Sequence, residues 1–190
     1  MMQRRDAIKR LLGKRPGNLF VVPGLGSTCW DLASLGENDR DFYVWGAMGG
    51  VAMIGLGLAL AQADKRVAVI TGDGEMLMGL GSLATIAVKK PPNLSIVVFD
   101  NGVYGETGMQ PSHTSSGVNL VETARSCGFV NCFDIGSDAE LDMLAGKLGA
   151  ADGLLFARVP IAREEPPRVL PERDGVVIKQ RFRRAIGAAP

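Results

Sequence analysis

Short runs of β-branched and apolar residues, each closed by glycine or proline, alternate along this chain with longer stretches of helical periodicity. That alternation points to an α/β fold: a mainly parallel sheet in a three-layer α/β/α arrangement. The runs at 18–22, 66–71, 94–99, 131–134 and 154–159 read as strands buried on both faces, with a shorter piece at 42–44. Helices are expected near 29–35, 48–61, 81–89, 119–127 and 139–148, bracketed by an N-terminal helix at 4–12 and a C-terminal helix at 176–186. The proline-rich segment 163–175 reads as an extended crossing to that last helix. With 190 residues and 46% hydrophobic composition, 1–190 is expected to form a single domain.

Charge and cysteine usage narrow the function classes. Twenty-one basic and twenty acidic residues leave a net charge of +1, which argues against nucleic acid as a partner. The basic residues gather at the two ends and leave an acidic middle, a pattern ascribed to the solvated faces of the terminal helices. Cys29, Cys127 and Cys132 form no CxxC pair and no zinc-like spacing, so a reducing cytoplasmic setting fits best. The apolar stretch 44–63 is crowded with glycine and interrupted by Gln62, which suits a buried helix and not a membrane span. The opening MMQRRDAIKRLL lacks the apolar core of a signal peptide.

Two loops follow predicted strands at the carboxyl edge, where open α/β sheets place ligands. Gly72-Asp73-Gly74 follows RVAVIT and precedes a helical stretch, so backbone amides can face an anion with the Asp73 side chain beside it, and Gly74 permits close backbone approach. Asp100-Asn101-Gly102 ends the next strand. Two oxygen-bearing side chains on neighbouring parallel strands can converge on one hard cation, and Mg²⁺ prefers such ligands together with phosphate oxygens. The stretch 100–117 that follows is expected to lack regular structure and to serve as a lid. Upstream, GLGSTC follows a strand, but its third glycine is missing and no acidic residue ends a following strand about twenty residues on, so a dinucleotide site is not indicated.

GDG, twenty-six residues, then Asn resembles the cofactor motif of the thiamine-diphosphate-dependent decarboxylase and acetohydroxyacid synthase superfamily, in its diphosphate-binding domain. The resemblance implies thiamine diphosphate and Mg²⁺ as cofactors, with the metal held by Asp73, Asn101 and the Val103 carbonyl. The family commonly writes two asparagines where this chain has Asp100 and Asn101; the second is the ligand. It also implies that Gly26, Ser27 and Thr28 meet the diphosphate, although Ser27 or Thr28 could equally cap a helix. Gly46 and Met48, in WGAMG, fall where the family grips the aminopyrimidine and props the cofactor in its bent conformer. Gly72, Gly74, Glu75 and Tyr104 complete the expected cofactor-binding set. Glu106, Gln110 and His113, the chain's only histidine, are candidates to touch substrate or move protons, with Glu106 and His113 assigned as catalytic.

GDGEMLMGLGSLATIA and FDNGVYGETGMQPSHT are similar to the β subunits of sulfopyruvate decarboxylases and the equivalent part of phosphonopyruvate decarboxylases. This likeness implies an enzyme that removes CO₂ from a small anionic 2-oxo acid to release an aldehyde. Family members also use a second domain that binds the pyrimidine and supplies an activating glutamate, for which 190 residues leave no room. An α-type partner subunit in a hetero-oligomer such as α2β2 or larger is therefore expected, with no membrane or nucleic-acid partner. Two alternatives stay open at this point: a carboligase on the same scaffold, and a non-catalytic cofactor-binding or regulatory module.

Overall fold

A computed structural model describes residues 1–150 and 153–188. Five strands form one parallel sheet in the order β1-β2-β3-β7-β6: β1 (Leu19–Pro23), β2 (Arg66–Gly72), β3 (Leu94–Asp100), β6 (Asn131–Asp134) and β7 (Leu155–Pro160). Alternate residues along each strand feed opposite faces, as strand geometry requires. Ala68 and Ile70 of β2 pack with α1 (Arg4–Leu12), α2 (Ser27–Ala33) and α7 (Asp138–Gly149) on one side. Val67 and Val69 pack with α3 (Val51–Ala61), α5 (Ser82–Lys89) and α6 (Leu120–Cys127) on the other. The result is the expected three layers. Helix α8 (Gly175–Ile186) lays Phe182 and Ile186 against Phe20 and Phe42, with edge-on ring contacts at 5.5 and 5.2 Å. No helix among the described residues is long and apolar enough to cross a membrane.

Helix starts shift from their expected positions for identifiable reasons. Asn119 is the cap of α6, not its first turn: its side chain accepts from the backbone N–H groups of Val121 and Glu122. Asp174 does the same for α8 through Val176 and Val177. The helix expected from 48 begins at Val51, because Ala47 and Gly49 have φ of 55° and 91°, which no right-handed helix accommodates. A short helix, α4 (Asp73–Met78), starts directly on the GDG turn and ends at Gly79, ahead of the helix expected from 81. The piece at 42–44 is not a strand: Asp41 makes a single bridge to Val21, and the Phe42 amide bonds to the Val21 carbonyl.

The stretch 100–117 is more ordered than expected. Strand β4 (Val103–Tyr104) pairs antiparallel with β5 (Gln110–Pro111), and short 3₁₀ turns occupy Gly105–Thr107 and His113–Ser116. Backbone bonds from Met109 to Tyr104 and from Ser112 to Gly102 hold this small hairpin closed.

Candidate functional site

The register of the sheet determines what meets at its carboxyl edge. Gly72 of β2 lies opposite Phe99 of β3, so the GDG turn and the Asp100-Asn101 turn are neighbours in space. They wall a cleft of about 410 Å³, a size typical of small-molecule sites. Of the residues expected from sequence, the cleft is lined by Ser27, Thr28, Met48, Gly72, Asp73, Gly74, Glu75, Asn101, Val103, Tyr104 and Glu106. Gly26 precedes Ser27 at the start of α2, and Glu106 Oε1 lies 2.9 Å from where a side chain on Gly26 would begin. Gly46 is exposed and stands outside the lining residues. His113 is also outside: it is exposed, and its Nδ1 meets the Tyr104 hydroxyl at 3.1 Å. Gln110 is turned toward Thr107, to which it is hydrogen-bonded.

Asp73 is 2% exposed, and its Oδ2 accepts a 2.5 Å bond from the Ser112 hydroxyl. Its carboxyl is held above the ordinary range, chiefly by burial, with the Ser112 bond opposing and the nearby Asp100 charge adding to the rise. Asp100 is also buried, but it has a cation: Arg158 Nε reaches its Oδ2 at 2.5 Å. The Thr114 hydroxyl bonds to Asp100 Oδ1 at 2.8 Å and to Asp73 Oδ2 at 3.3 Å. Among the described residues no cation stands within ion-pairing distance of Asp73. Of two neighbouring buried carboxylates only Asp100 is paired with a guanidinium, and the excess negative charge of Asp73 beside the Asn101 amide oxygen suits a divalent cation with oxygen ligands. Asn101 Oδ1 accepts from the Val103 amide at 3.0 Å, which fixes the side chain in a tight turn.

Glu75, 3% exposed, is turned into the protein behind the GDG turn. It accepts from the Thr71 hydroxyl at 2.8 Å and from the Gly49 amide at 3.4 Å, and the backbone amides of Val51 and Leu25 lie toward it. Burial raises its carboxyl above the usual range, and those bonds partly offset the rise. Its partners belong to the turn after β1, the turn before α3 and the end of β2, so one carboxylate joins three walls of the cleft. Gly74 does permit a close approach, but by Tyr104: a Cβ there would lie 2.6 Å from the ring. Neither Ser27 nor Thr28 caps α2; the Thr28 hydroxyl turns back to the Gly24 carbonyl at 2.8 Å.

Sequence reasoning missed one side of the cleft. Arg4, Trp30 and the strap Glu164 to Arg168 line it, yet the strap was read only as a crossing segment. The available signal was the pair Pro166-Pro167, which favours an extended backbone that can be laid across a surface. Ser112, Thr114 and Arg158 were also missed; a lone arginine in the apolar run LLFARVP was the clue to the last.

Comparison with known proteins gives the family and the fold. The sulfopyruvate decarboxylase subunit beta of Methanothermobacter thermautotrophicus is 36% identical over 189 residues, which cover 100% of this chain and 98% of that subunit. The phosphonopyruvate decarboxylase of Streptomyces hygroscopicus is 43% identical over 156 residues, covering 82% of this chain but only 38% of that longer protein. Among solved structures, benzoylformate decarboxylase from Polynucleobacter necessarius superposes with a TM-score of 0.74 at 19% identity, over 87% of this chain and 34% of that one, a likeness of fold. Residues 28–163 match the family described as thiamine pyrophosphate enzyme, C-terminal TPP binding domain. The chain thus belongs to the thiamine pyrophosphate enzymes and is their C-terminal cofactor-binding domain.

Proposed function

We propose that residues 1–190 are the diphosphate- and Mg²⁺-binding subunit of a two-subunit enzyme that decarboxylates a small anionic 2-oxo acid to an aldehyde. The observation that carries this reading is the buried, cation-free Asp73 beside Asn101 at the ends of adjacent strands, in a chain alignable over its whole length with a sulfopyruvate decarboxylase subunit. In this reading Asp73, Asn101 and the Val103 carbonyl hold the metal. Gly26, Ser27, Thr28, Gly72, Gly74 and Tyr104 surround the diphosphate, and Met48 with Gly46 supports the pyrimidine side. Glu75, which also lines the cleft, completes the cofactor-binding set and ties the walls together.

Thiamine diphosphate, when bound, supplies an electron sink for the carbon that loses CO₂. The chain's own contribution is positioning and proton control. Glu106 stands at the mouth of the cleft with its carboxyl raised by loss of surrounding water, while Arg168 and then Arg4 draw it back. A carboxyl so placed is suited to hold or deliver a proton at the reacting carbon. His113 acts through Tyr104, orienting the ring that packs on Gly74. A pyrimidine-binding partner subunit completes the site and supplies the activating glutamate.

The test is Mg²⁺-dependent binding of thiamine diphosphate by the chain assembled with its partner, followed by product analysis on sulfopyruvate and phosphonopyruvate. Asp73→Ala and Asn101→Ala are each expected to weaken cofactor affinity severely, and CO₂ and aldehyde should form in equal amounts. Unchanged affinity in both variants would sink the metal assignment; a hydroxyketone product would point instead to carboligation.

A further inference from the structure

The strap over the cleft is pinned at three points. The Arg4 amide donates to Glu164 Oε1 at 2.5 Å, Arg5 Nη2 donates to the Pro167 carbonyl, and Trp45 Nε1 donates to the Glu172 carbonyl at 2.8 Å. Between the last two anchors Arg168 projects over Trp30, its guanidinium carbon 4.3 Å from the ring centroid. Trp30 belongs to α2, three residues after Ser27, and both arginine and indole line the same cleft as Asp73 and Asn101.

The two arginines of this cleft differ in their commitments. Arg4 is buried and ion-paired to Asp31, which is wholly buried and also takes Arg5. Arg168 makes no hydrogen bond or ion pair among the described residues; its partner is the face of Trp30. A guanidinium held over an indole by its carbon, with no hydrogen bond of its own, has N–H groups to offer, and their fork matches the paired oxygens of a carboxylate, phosphate or sulfonate. Glu106, across the cleft, feels Arg168 more strongly than any other cation. Glu164 and Glu165 also line the cleft, but Glu164 is engaged by the start of α1.

We propose that Arg168, held on Trp30, is the anion clasp of this cleft: it takes a phosphate-, sulfonate- or carboxylate-class group of the bound ligand through a two-pronged contact. The inference rests on the functional reading above. It adds a specificity-determining residue that lies outside the matched stretch 28–163. Two ligand groups share this chemistry, the terminal phosphate of the cofactor and the second anionic group of the 2-oxo acid.

The experiment uses the chain assembled with its partner subunit and compares Arg168→Ala, Arg168→Lys and Trp30→Leu with the wild type. Affinity is measured for thiamine diphosphate and for thiamine with Mg²⁺, and KM for sulfopyruvate and for pyruvate. If the clasp holds the cofactor, Arg168→Ala weakens thiamine diphosphate at least tenfold and thiamine less than twofold. If it holds the substrate, KM for sulfopyruvate rises at least tenfold and KM for pyruvate less than twofold. In either case Arg168→Lys, which keeps the charge but loses the fork, recovers part of the loss, and Trp30→Leu reproduces part of it.

Arg168 is exposed on the strap, so its variants are expected to fold, which thermal melting checks. All four values within twofold of wild type in Arg168→Ala overturn the clasp. If Asp73→Ala still abolishes cofactor binding in that case, the functional reading stands without it. A wild-type assembly that binds no thiamine diphosphate overturns the functional reading first, and the clasp with it.

Discussion

A methyl group placed on Gly24 would lie 1.7 Å from Oε2 of Glu75, so the end of β1 and the carboxylate behind the GDG turn are fitted to each other without room for a side chain. Gly24→Ala must therefore displace a buried carboxylate, at an expected cost of about 1–3 kcal/mol. Glu75→Ala removes the obstacle but leaves the Thr71 hydroxyl and the Gly49 amide without their acceptor, again about 1–3 kcal/mol. The double variant relieves the clash, so its loss of stability in urea should be smaller than the sum of the two singles by more than about 0.5 kcal/mol. Strict additivity would show that the two residues do not depend on each other.

Asp100 and Arg158 offer a second coupling, this time of charge. Asp100 is 2% exposed and Arg158 27%, and Arg158 also reaches the exposed Asp134 at 3.1 Å. Arg158→Met strands Asp100 next to Asp73, a burial of like charges that should cost roughly 2–4 kcal/mol. Asp100→Asn, which removes the charge at nearly constant volume, leaves Arg158 its contact with Asp134 and should cost less. Combined with Arg158→Met it removes the stranded charge, and a coupling of about 1–3 kcal/mol is expected from a denaturation cycle. If Arg158→Met costs the same in both backgrounds, the ion pair contributes nothing specific.

The sheet was legible because its strands are continuous apolar runs bounded by turn residues, a pattern that burial on both faces imposes on β2 and β3 alike. Asp73 and Asn101 were legible for a related reason: each sits one step beyond such a run, where adjacent parallel strands must bring their ends together. What escaped the sequence depends on contacts across long separations. Nothing local to Arg158 says that it faces Asp100, and nothing local to Arg168 says that its strap returns to Trp30. The hairpin of β4 and β5 escaped because two-residue strands carry no periodicity. Ser112 was hidden for the same reason, since only the closed hairpin delivers its hydroxyl to Asp73.

That hydroxyl gives a third prediction. The Ser112 bond to Asp73 ties the stretch 105–117 to the GDG turn across 39 residues, with Thr114 as a weaker second tie. Ser112→Ala should speed backbone hydrogen exchange through 105–117 and lower stability by about 1.5–3 kcal/mol, the range for a bond to a charged acceptor. Exchange in α7, on the far side of the sheet, should not change. Equal protection of 105–117 in variant and wild type would mean that the backbone bonds of Met109 and Ser112 hold the hairpin unaided.

Cys29 supplies the pH-dependent prediction. Its thiol is wholly buried beneath the first loop, 2.9 Å from the Gly24 carbonyl, and burial, reinforced by the negative charge of Glu75, pushes it up to about 12 from an ordinary value of 9.0. Above pH 9 the unfolded chain loses this proton before the native one does, so the unfolded state binds fewer protons and stability falls as pH rises toward 12. The contribution is fully present below pH 9, and its slope approaches about 1.4 kcal/mol per pH unit where only the unfolded thiol is ionised. Cys29→Ala removes that term, so the stability of wild type relative to this variant should decline steadily from pH 9 upward, a comparison that cancels the other alkaline groups. At pH 8 the half-buried Cys127 should take up iodoacetamide while Cys29 stays unmodified until the protein is unfolded in urea. Parallel stability curves for the two proteins between pH 9 and 11 would show that the thiol ionises as easily in the fold as outside it.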